Sequence, residues 1–430
     1  MTTTMNIDVH YVTRVEGHGN IVVNVKNGTL EDCRLDIVET PRFFEALLRG
    51  RPYTEASHIA SRICGICAVG HATASLRATE QALEVHPSEQ TRLLRKLMFD
   101  AEILDSHILH TYMLVAPDFY KLGSVIALAS VEPEAVSRAL RVKKLAGDVC
   151  ATIGGRHTHP ITMTVGGFTH LPTVEEIQTL RTRLEDSRKD LDDTVALFKT
   201  LPWPQFERET EYIALTKPDE YAFIDGTIAS TEGGHYETAD YLRVTNEYLL
   251  PHSSAKRTRH QRGSYMVGAL ARFNLNFEHL HPRAKDAAAE FGMKPTVKNP
   301  YLNSAAQVIE MVHCVEDAIN VCNELIARGI HTEALPKFAG KRGVGVGACE
   351  VPRGTLYHDY EIGADGKIVS ANCIIPTGQN LANLEADMHK LVPEIIDQGE
   401  EQVTSALEML VRAYDPCISC SVHWLNIQFV

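Results

Sequence analysis

The chain has 430 residues, with 42 lysines and arginines, 55 aspartates and glutamates, and 10 cysteines. Its net charge of −13 argues against a nucleic-acid partner, because phosphate backbones are bound by clusters of lysine and arginine. No run of about 18 apolar residues predicts a membrane span, and the first residues lack the features of a signal peptide. We therefore expect a cytoplasmic protein, in which Cys-x-x-Cys pairs bind metal or exchange electrons rather than form structural disulfides.

The first part of the chain, residues 1–60, is predicted to be rich in strands. Residues 5–40 alternate apolar and polar side chains around the turn signal KNGT. Residues 41–50 then predict a short helix that ends at Gly50.

Residues 61–200 are predicted to be mainly helical. A Cys-x-x-Cys motif lies at the start of the first helix, and residues 88–115 form a long amphipathic pattern. After a glycine-rich loop at 154–167, Thr173 and Glu176 match a capping box and predict the start of another long helix.

The rest of the chain mixes strands, loops and helices over 201–375 and ends in helices and a second cysteine motif over 376–423. Residues 304–329 predict a helix, and residues 345–376 predict two strands around the turn GADGK. We therefore predict an α+β fold that is mainly α: a long central helix bundle with peripheral β-sheet portions, in one domain spanning 1–430.

Two cysteine pairs lie near opposite ends of the chain, Cys64 and Cys67 in RICGIC and Cys417 and Cys420 in DPCISC, each followed by a histidine. Zinc ribbons carry such pairs about 15–20 residues apart, whereas these lie roughly 350 positions apart. Thiolates also bind copper(I), nickel and iron. From spacing alone, a zinc site and two separate redox pairs stay open. One site closed by both chain ends would be a buried centre held by the entire fold.

The two cysteine motifs resemble the signature motifs of the large subunit of nickel–iron hydrogenases. Further segments resemble the family in the same order: TRVEGHGNIVV (13–23), RFFEALLRGR (42–51), HILHTYMLVAPDF (107–119), VGG (165–167), EVPRGTLYH (350–358) and IIPTGQN (374–380). The resemblance covers nearly the whole chain. It implies the family's fold and the reversible heterolytic cleavage of H2 into protons and electrons.

The resemblance implies a role for each cysteine of the two motifs. Cys64 and Cys417 are expected to be terminal nickel ligands, and Cys67 and Cys420 to bridge nickel and iron. The iron is expected to carry carbon monoxide and cyanide. A terminal thiolate can then serve as the local base when dihydrogen is split.

Three charged residues match family positions beside the metals. Glu16, in RVEGH, matches a glutamate that relays protons from the terminal cysteine Cys417. Arg353 matches an arginine over the open coordination site, and Asp415 matches its partner. Without the resemblance, Glu16 reads as a polar residue of an edge strand, and Asp415 as a helix cap or turn residue.

Uncharged positions complete the expected pocket. The resemblance implies that Pro352 and Pro376 line the site, that Thr377 donates a hydrogen bond to a cyanide, and that His71 bonds a bridging cysteine. The chain departs from the family at one place. Some members carry an aspartate near the middle of the long helix, where this chain has Ser106 with Asp105 beside it.

A second metal ion is implied near the C-terminus. Glu45, a backbone carbonyl near Cys373, and His423 resemble ligands of a magnesium ion, or of iron(II) since histidine is less typical of magnesium. From the sequence alone, Glu45 reads as a residue on an exposed helix face.

The remaining cysteines show no ligand spacing, so the resemblance places the iron–sulfur clusters only in a partner, the small subunit. Further flavin or iron–sulfur subunits are expected to pass electrons to NAD(P), a deazaflavin, ferredoxin or a heterodisulfide reductase, as in the cytoplasmic, multisubunit, reversible branch. A maturation protease is expected to remove the tail WLNIQFV (424–430).

Two alternatives to a hydrogenase stay open in the sequence. One is a zinc-stabilised scaffold protein. The other is a respiratory quinone-reductase subunit of the same fold, against which the four cysteines argue because that relative lacks them.

Overall fold

The computed structural model describes residues 4–337 and 340–422. Within them the strands are β1 Met5–Val9, β2 Gly19–Lys26, β3 Thr29–Ile37, β4 Met163–Thr164, β5 Gly167–Phe168, β6 Glu211–Thr216, β7 Thr227–Ser230, β8 His235–Tyr236, β9 Tyr248–Leu250, β10 Ser253–Arg257, β11 Tyr265–Met266, β12 Gly343–Val351, β13 Gly354–Ile362 and β14 Ile368–Ile374.

The α-helices of the same residues are α1 Phe44–Leu48, α2 Tyr53–Ala60, α3 Ala68–Leu83, α4 Glu89–Leu109, α5 Ala116–Phe119, α6 Val125–Val131, α7 Pro133–Gly154, α8 Val174–Asp186, α9 Arg188–Phe198, α10 Leu242–Thr245, α11 Ala269–Asn276, α12 Pro282–Glu290, α13 Asn303–Arg328, α14 Pro376–Ile395, α15 Glu400–Ala413 and α16 Ile418–Ser421. None of them is long and apolar enough to cross a bilayer. The predicted α+β class with a helical centre is confirmed.

The centre of the molecule is a bundle in which α4 packs against α7 and α13, and α13 packs against α8. Helix α4 begins where Ser88 accepts a hydrogen bond from the Thr91 amide at 3.0 Å. The predicted capping box at Thr173 and Glu176 starts α8, but that helix ends at Asp186 and α9 follows. The predicted helix over 88–115 changes its winding near its end, because residues His110–Val115 form a π-helix.

Four sheets surround this bundle. The predicted N-terminal strands are confirmed: β1, β2 and β3 pair antiparallel, and β10 and β9 extend that sheet in the order β1-β2-β3-β10-β9. The other sheets have the orders β11-β6-β7-β8, β12-β13-β14 and β4-β5. The predicted mixture of strands and helices over 201–375 therefore belongs to three of the four sheets.

The segment predicted as two strands over 345–376 forms three strands, because the chain also turns back at Pro352 and Arg353, between β12 and β13. Strand β12 lies directly on α3. A Cβ added to Gly347 would lie 1.9 Å from the Ala74 carbonyl oxygen, so only glycine permits this approach. The contact fixes the Arg353 turn relative to α3, the helix that follows the first cysteine motif.

His313, in α13, gives the core a pH dependence. Its Nδ1 accepts a hydrogen bond from the His281 amide at 3.1 Å, and burial lowers its pKa to about 4. The unfolded chain takes up this proton near pH 6.5, so stability is complete above that pH and is lost as the pH falls towards 4. We expect His313 to account for about 1 kcal/mol of the stability lost between about pH 7.5 and 5.5.

Unfolding the large subunit in urea at the two pH values tests this expectation. His313→Gln keeps an acceptor for the His281 amide but does not titrate. The variant should therefore lose less stability on acidification than the parent, and equal losses in the two proteins would contradict the assignment.

Candidate metal centre

The two cysteine motifs meet in the interior. The Sγ atoms of the four cysteines lie within 4.8 Å of one another, and we call Cys64, Cys67, Cys417 and Cys420 the cysteine cluster. All four are buried, and the Sγ atoms of Cys64 and Cys417 are 3.6 Å apart. No other group of this kind occurs in residues 4–337 and 340–422. The cluster joins the two ends of the chain at one point.

Backbone hydrogen bonds set each motif in place. Cys67 is the residue before α3, and its amide donates to Cys64 Sγ at 3.3 Å. Cys417 is the residue before α16, and its amide donates to Thr377 Oγ1 at 2.8 Å. Arg42 links the motifs, because its Nη1 donates to the Ile63 carbonyl at 2.7 Å and its amide donates to the Val422 carbonyl at 2.6 Å. Both motifs are therefore held rigidly before any metal binds.

The thiols of the cluster affect one another's ionisation. Hydrogen bonds from Cys417 and then Cys420 lower the pKa of Cys64 well below its usual value. Hydrogen bonding with Cys420 and Cys64 raises the pKa of Cys417 well above its usual value. The site thus holds one thiolate readily and needs added positive charge to hold four. Soft thiolate donors around a cationic centre fit nickel and iron, and they fit zinc as well.

Arg353 supplies the charged wall of the site. Its Nε donates to the Asp415 carbonyl at 2.8 Å and to Asp415 Oδ1 at 3.1 Å, and its Nη2 forms an ion pair with Oδ1 at 3.0 Å. Although the side chain is only 2% exposed, neither Nη1 nor Nη2 has a hydrogen-bond partner among the described residues. Buried donors of this kind are costly to leave unpaired, so they fit a group bound in the site.

Two residues behind Asp415 complete this arrangement. Gln307 Nε2 donates to Asp415 Oδ2 at 3.0 Å, and Gln307 Oε1 lies 2.5 Å from His110 Nδ1. His110 Nε2 lies 2.7 Å from the Arg412 carbonyl. No sequence pattern points to Gln307, since it lies on α13 outside every motif.

Glu16 lies beside the second motif, next to Cys417 in the sheet-like pairing. The Ile418 amide donates to the Glu16 carbonyl at 2.9 Å. The half-buried carboxylate accepts from the Ser419 hydroxyl and from the Ser419 amide at 3.2 Å. Gly17 permits the approach: its φ is 88°, and a Cβ there would lie 2.7 Å from Ile418 Cβ.

The uncharged residues expected around the metals lie on both sides of the cluster. Pro376 and Thr377 begin α14, and Thr377 Oγ1 accepts from the Cys417 amide, which leaves its hydroxyl hydrogen free to donate. The Pro352 carbonyl accepts from Arg272 Nη2 at 3.1 Å. His71 Nδ1 lies 3.1 Å from His358 Nε2. The expected bond from His71 to a bridging cysteine stays a prediction.

The departure at Ser106 removes a carboxylate from this part of α4. Asp105 pairs with Lys143 at 2.7 Å, on the α7 side. Ser106 is fully buried, and its hydroxyl has no hydrogen-bond partner in the described residues. Asp105 therefore does not take the place of the family aspartate.

A second feature lies around Glu45, which is buried rather than exposed. Glu45 Oε1 accepts from the Cys373 amide at 2.9 Å and lies 3.5 Å from Lys256 Nζ, which also lies 3.0 Å from Glu247 Oε2. Burial raises the pKa of Glu45. His423, the expected third contributor, lies outside the described residues.

Helix α4 also supports the first motif in a way the sequence did not predict. Glu102 caps α3 from the side: its carboxylate accepts from the Val69 amide at 2.6 Å and from the Gly70 amide at 2.9 Å. A capping residue supplied by a different helix has no fixed spacing in the sequence, so no local pattern could identify it.

Comparisons with known proteins agree with this geometry. The family model for nickel-dependent hydrogenases matches residues 42–139 and 227–423, and a HoxL-like model matches residues 6–40. The alpha chain of sulfhydrogenase 2 from Pyrococcus furiosus is 33% identical over 98% of this chain and 100% of its own length. A subunit of the F420-non-reducing hydrogenase from Methanothermobacter marburgensis is 31% identical over 97% of this chain and 94% of its own.

A solved structure extends the likeness to the fold. An NAD+-reducing [NiFe]-hydrogenase in the H2-reduced state superposes with a TM-score of 0.88, at 28% identity, over 98% of this chain and 100% of that chain. The family model alone covers more than half of the 430 residues, and the relatives are covered almost end to end. The chain therefore belongs to the nickel-dependent hydrogenases, as a large subunit.

Proposed function

We propose that this hydrogenase subunit carries out the reversible heterolytic cleavage of H2 at a nickel–iron centre held by the cysteine cluster. One observation carries the proposal: four buried thiols from both chain ends converge in one cluster whose ionisation is coupled to the Arg353 guanidinium. When bound, the nickel–iron pair, with carbon monoxide and cyanide on the iron, supplies the redox chemistry that breaks the H–H bond.

The protein's own residues bind the metals and move the proton. Cys64 and Cys417 are the terminal nickel ligands, and Cys67 and Cys420 are the bridging ones. Cys417 Sγ takes the proton as the local base, and Glu16 receives it. The pairing of Glu16 with Ile418 and Ser419 supports this relay, since it holds the glutamate beside the motif that carries Cys417.

The pocket residues orient the bound group. Arg353 directs its unpartnered Nη atoms to it, and Asp415 fixes the guanidinium. Thr377 donates its free hydroxyl hydrogen to a cyanide. Pro352 and Pro376 close the walls, and His71 supports a bridging cysteine.

A second ion, magnesium or iron(II), binds near the C-terminus. Its ligands are Glu45, a backbone carbonyl near Cys373, and His423. The burial of the Glu45 carboxylate beside Cys373 supports this assignment, because a buried acid favours a cation partner.

Electrons leave through a small subunit that carries iron–sulfur clusters, and then through further flavin or iron–sulfur subunits of a cytoplasmic complex. In the described residues, the cysteine cluster is the one grouping placed to hold a metal, which supports clusters in a partner. The similar NAD+-reducing and F420-non-reducing enzymes differ in the acceptor that their names give. NAD(P), a deazaflavin, ferredoxin and a heterodisulfide reductase are the acceptor classes to test.

We expect a maturation protease to cleave after His423, once nickel is inserted. Cleavage would remove residues 424–430, which lie outside the described part of the chain. Intact-mass measurement of the purified active complex checks this expectation. A large subunit whose mass includes Val430 would contradict it.

Metal analysis combined with an H2 assay tests the proposed function. The complex should contain nickel and iron in equal amounts and reduce a redox dye with H2. Zinc as the only metal, with no H2-dependent reduction, would favour the zinc-stabilised scaffold instead.

A further inference from the structure

Asp118, in α5, is the common partner of two arginines that come from opposite ends of the chain. Arg412, in α15, donates to it through Nε at 2.7 Å and through Nη2 at 2.9 Å. Arg14, in the N-terminal loop, donates to Asp118 Oδ1 through its Nη2. We call Arg14, Asp118 and Arg412 the arginine clamp.

The π-helix before α5 contributes to the same arrangement. The Leu114 carbonyl, which lies in that wide turn, accepts a hydrogen bond from Arg14 Nη1 at 2.6 Å. Wide turns of this kind often mark functional sites, because they redirect backbone groups that an α-helix would use internally. Arg14 is thus bound by a carbonyl of the π-helix and by a carboxylate of the helix that follows it.

Burial makes the clamp sensitive to the loss of charge. The side chains of Arg412, Asp118 and Arg14 are 2%, 7% and 13% exposed. The other charged group at the clamp is Glu408, 3.5 Å from Arg412. Removing the Asp118 charge would leave two largely buried cations facing one weak partner, which is strongly unfavourable in a dry environment.

The clamp joins the two segments that carry the proposed proton path. Arg14 precedes Glu16 by two residues, and Arg412 precedes Cys417 by five. Arg412 Nη1 also donates to the Thr13 carbonyl at 3.1 Å, which ties the segments directly. Beyond the clamp, the same two segments meet again where Ile418 and Ser419 bond to Glu16.

We propose that Asp118 is a positioning residue that holds the loop of Glu16 against the motif of Cys417 and so sets the geometry for proton transfer between them. The inference rests on the proposed function for the identity of the transferring groups. Asp118 itself touches neither the cluster nor the proton. It acts through Arg14 and Arg412.

The test uses the purified, metal-loaded complex with Asp118→Asn, and with Arg14→Lys as a second, milder variant. Lysine keeps the charge but cannot reach both Asp118 and the Leu114 carbonyl as a fork does. Asp105→Asn is the matched control, since it removes a carboxylate from the preceding helix, where Asp105 pairs with Lys143.

Three quantities are measured: metal content, amide hydrogen exchange of the peptide containing Ile418 and Ser419, and H2 turnover in H2O and D2O. For both clamp variants we expect unchanged nickel and iron, exchange of that peptide faster by about tenfold, slower turnover, and a larger solvent isotope effect. The control should match the parent in all three.

Two results would overturn the inference. In one, both clamp variants match the control in exchange and in isotope effect. In the other, both variants lose their metals, which would make the clamp part of cluster assembly rather than of proton transfer. A parent complex without nickel or H2 turnover would instead reject the proposed function, while the exchange measurement would still report on the clamp.

Discussion

Replacing Glu16 by glutamine is expected to lower H2 turnover by about a hundredfold or more, which is the usual contribution of a positioned proton-transfer group. Glutamine keeps the size and can still accept from Ser419, so the pairing with Ile418 should survive. It cannot take up and release a proton. Nickel and iron should therefore stay bound at parental levels while turnover falls.

Assays of H2-dependent dye reduction and of H2/D2O isotope exchange, together with metal analysis, measure this effect. Glu39→Gln is the matched control: Glu39 is also half-buried and lies on the other side of Gly17, where it bonds His18 at 2.9 Å. Unchanged isotope exchange in Glu16→Gln would remove Glu16 from the proton path.

Replacing Cys420 by alanine is expected to abolish H2 turnover and leave less than about a tenth of the bound nickel and iron, because even changes outside the ligand sphere cost metal sites 10- to 100-fold in affinity. The thiol lies within the 4.8 Å cluster, so its loss removes a ligand that two metals are proposed to share. Folding of the rest of the chain should be little affected.

Cys322→Ala separates loss of a ligand from loss of a buried thiol. Cys322 is fully buried in α13, and burial raises its pKa to about 12, as for a structural thiol that stays protonated. Its replacement should cost about 1 kcal/mol and leave metal content unchanged. Equal metal loss in the two variants would show that Cys420 acts only through packing.

The features that the sequence predicted are those written in local patterns. The hairpin of β2 and β3 follows from alternation around Asn27 and Gly28, and α8 begins at the capping box of Thr173. The pairing of the two cysteine motifs followed from their chemistry and from the resemblance. Their convergence into one cluster needed no further information.

The features that were missed depend on contacts between distant segments. The turn at Arg353 was hidden because β12 is rich in glycine, which suits its contact with α3 but weakens a strand pattern. The π-helix at His110–Val115 interrupts a pattern that reads as one continuous helix. Asp118 looks like an ordinary residue after a proline, and only the folded chain brings Arg14 and Arg412 to it.

The infrared spectrum of the purified complex tests the central claim most directly, because carbon monoxide and cyanide on iron absorb where proteins do not. The account predicts bands for both ligands that shift when the sample is placed under H2, and their loss in Cys420→Ala. A metal-loaded complex with no such bands would contradict the assignment of the cysteine cluster as a nickel–iron centre.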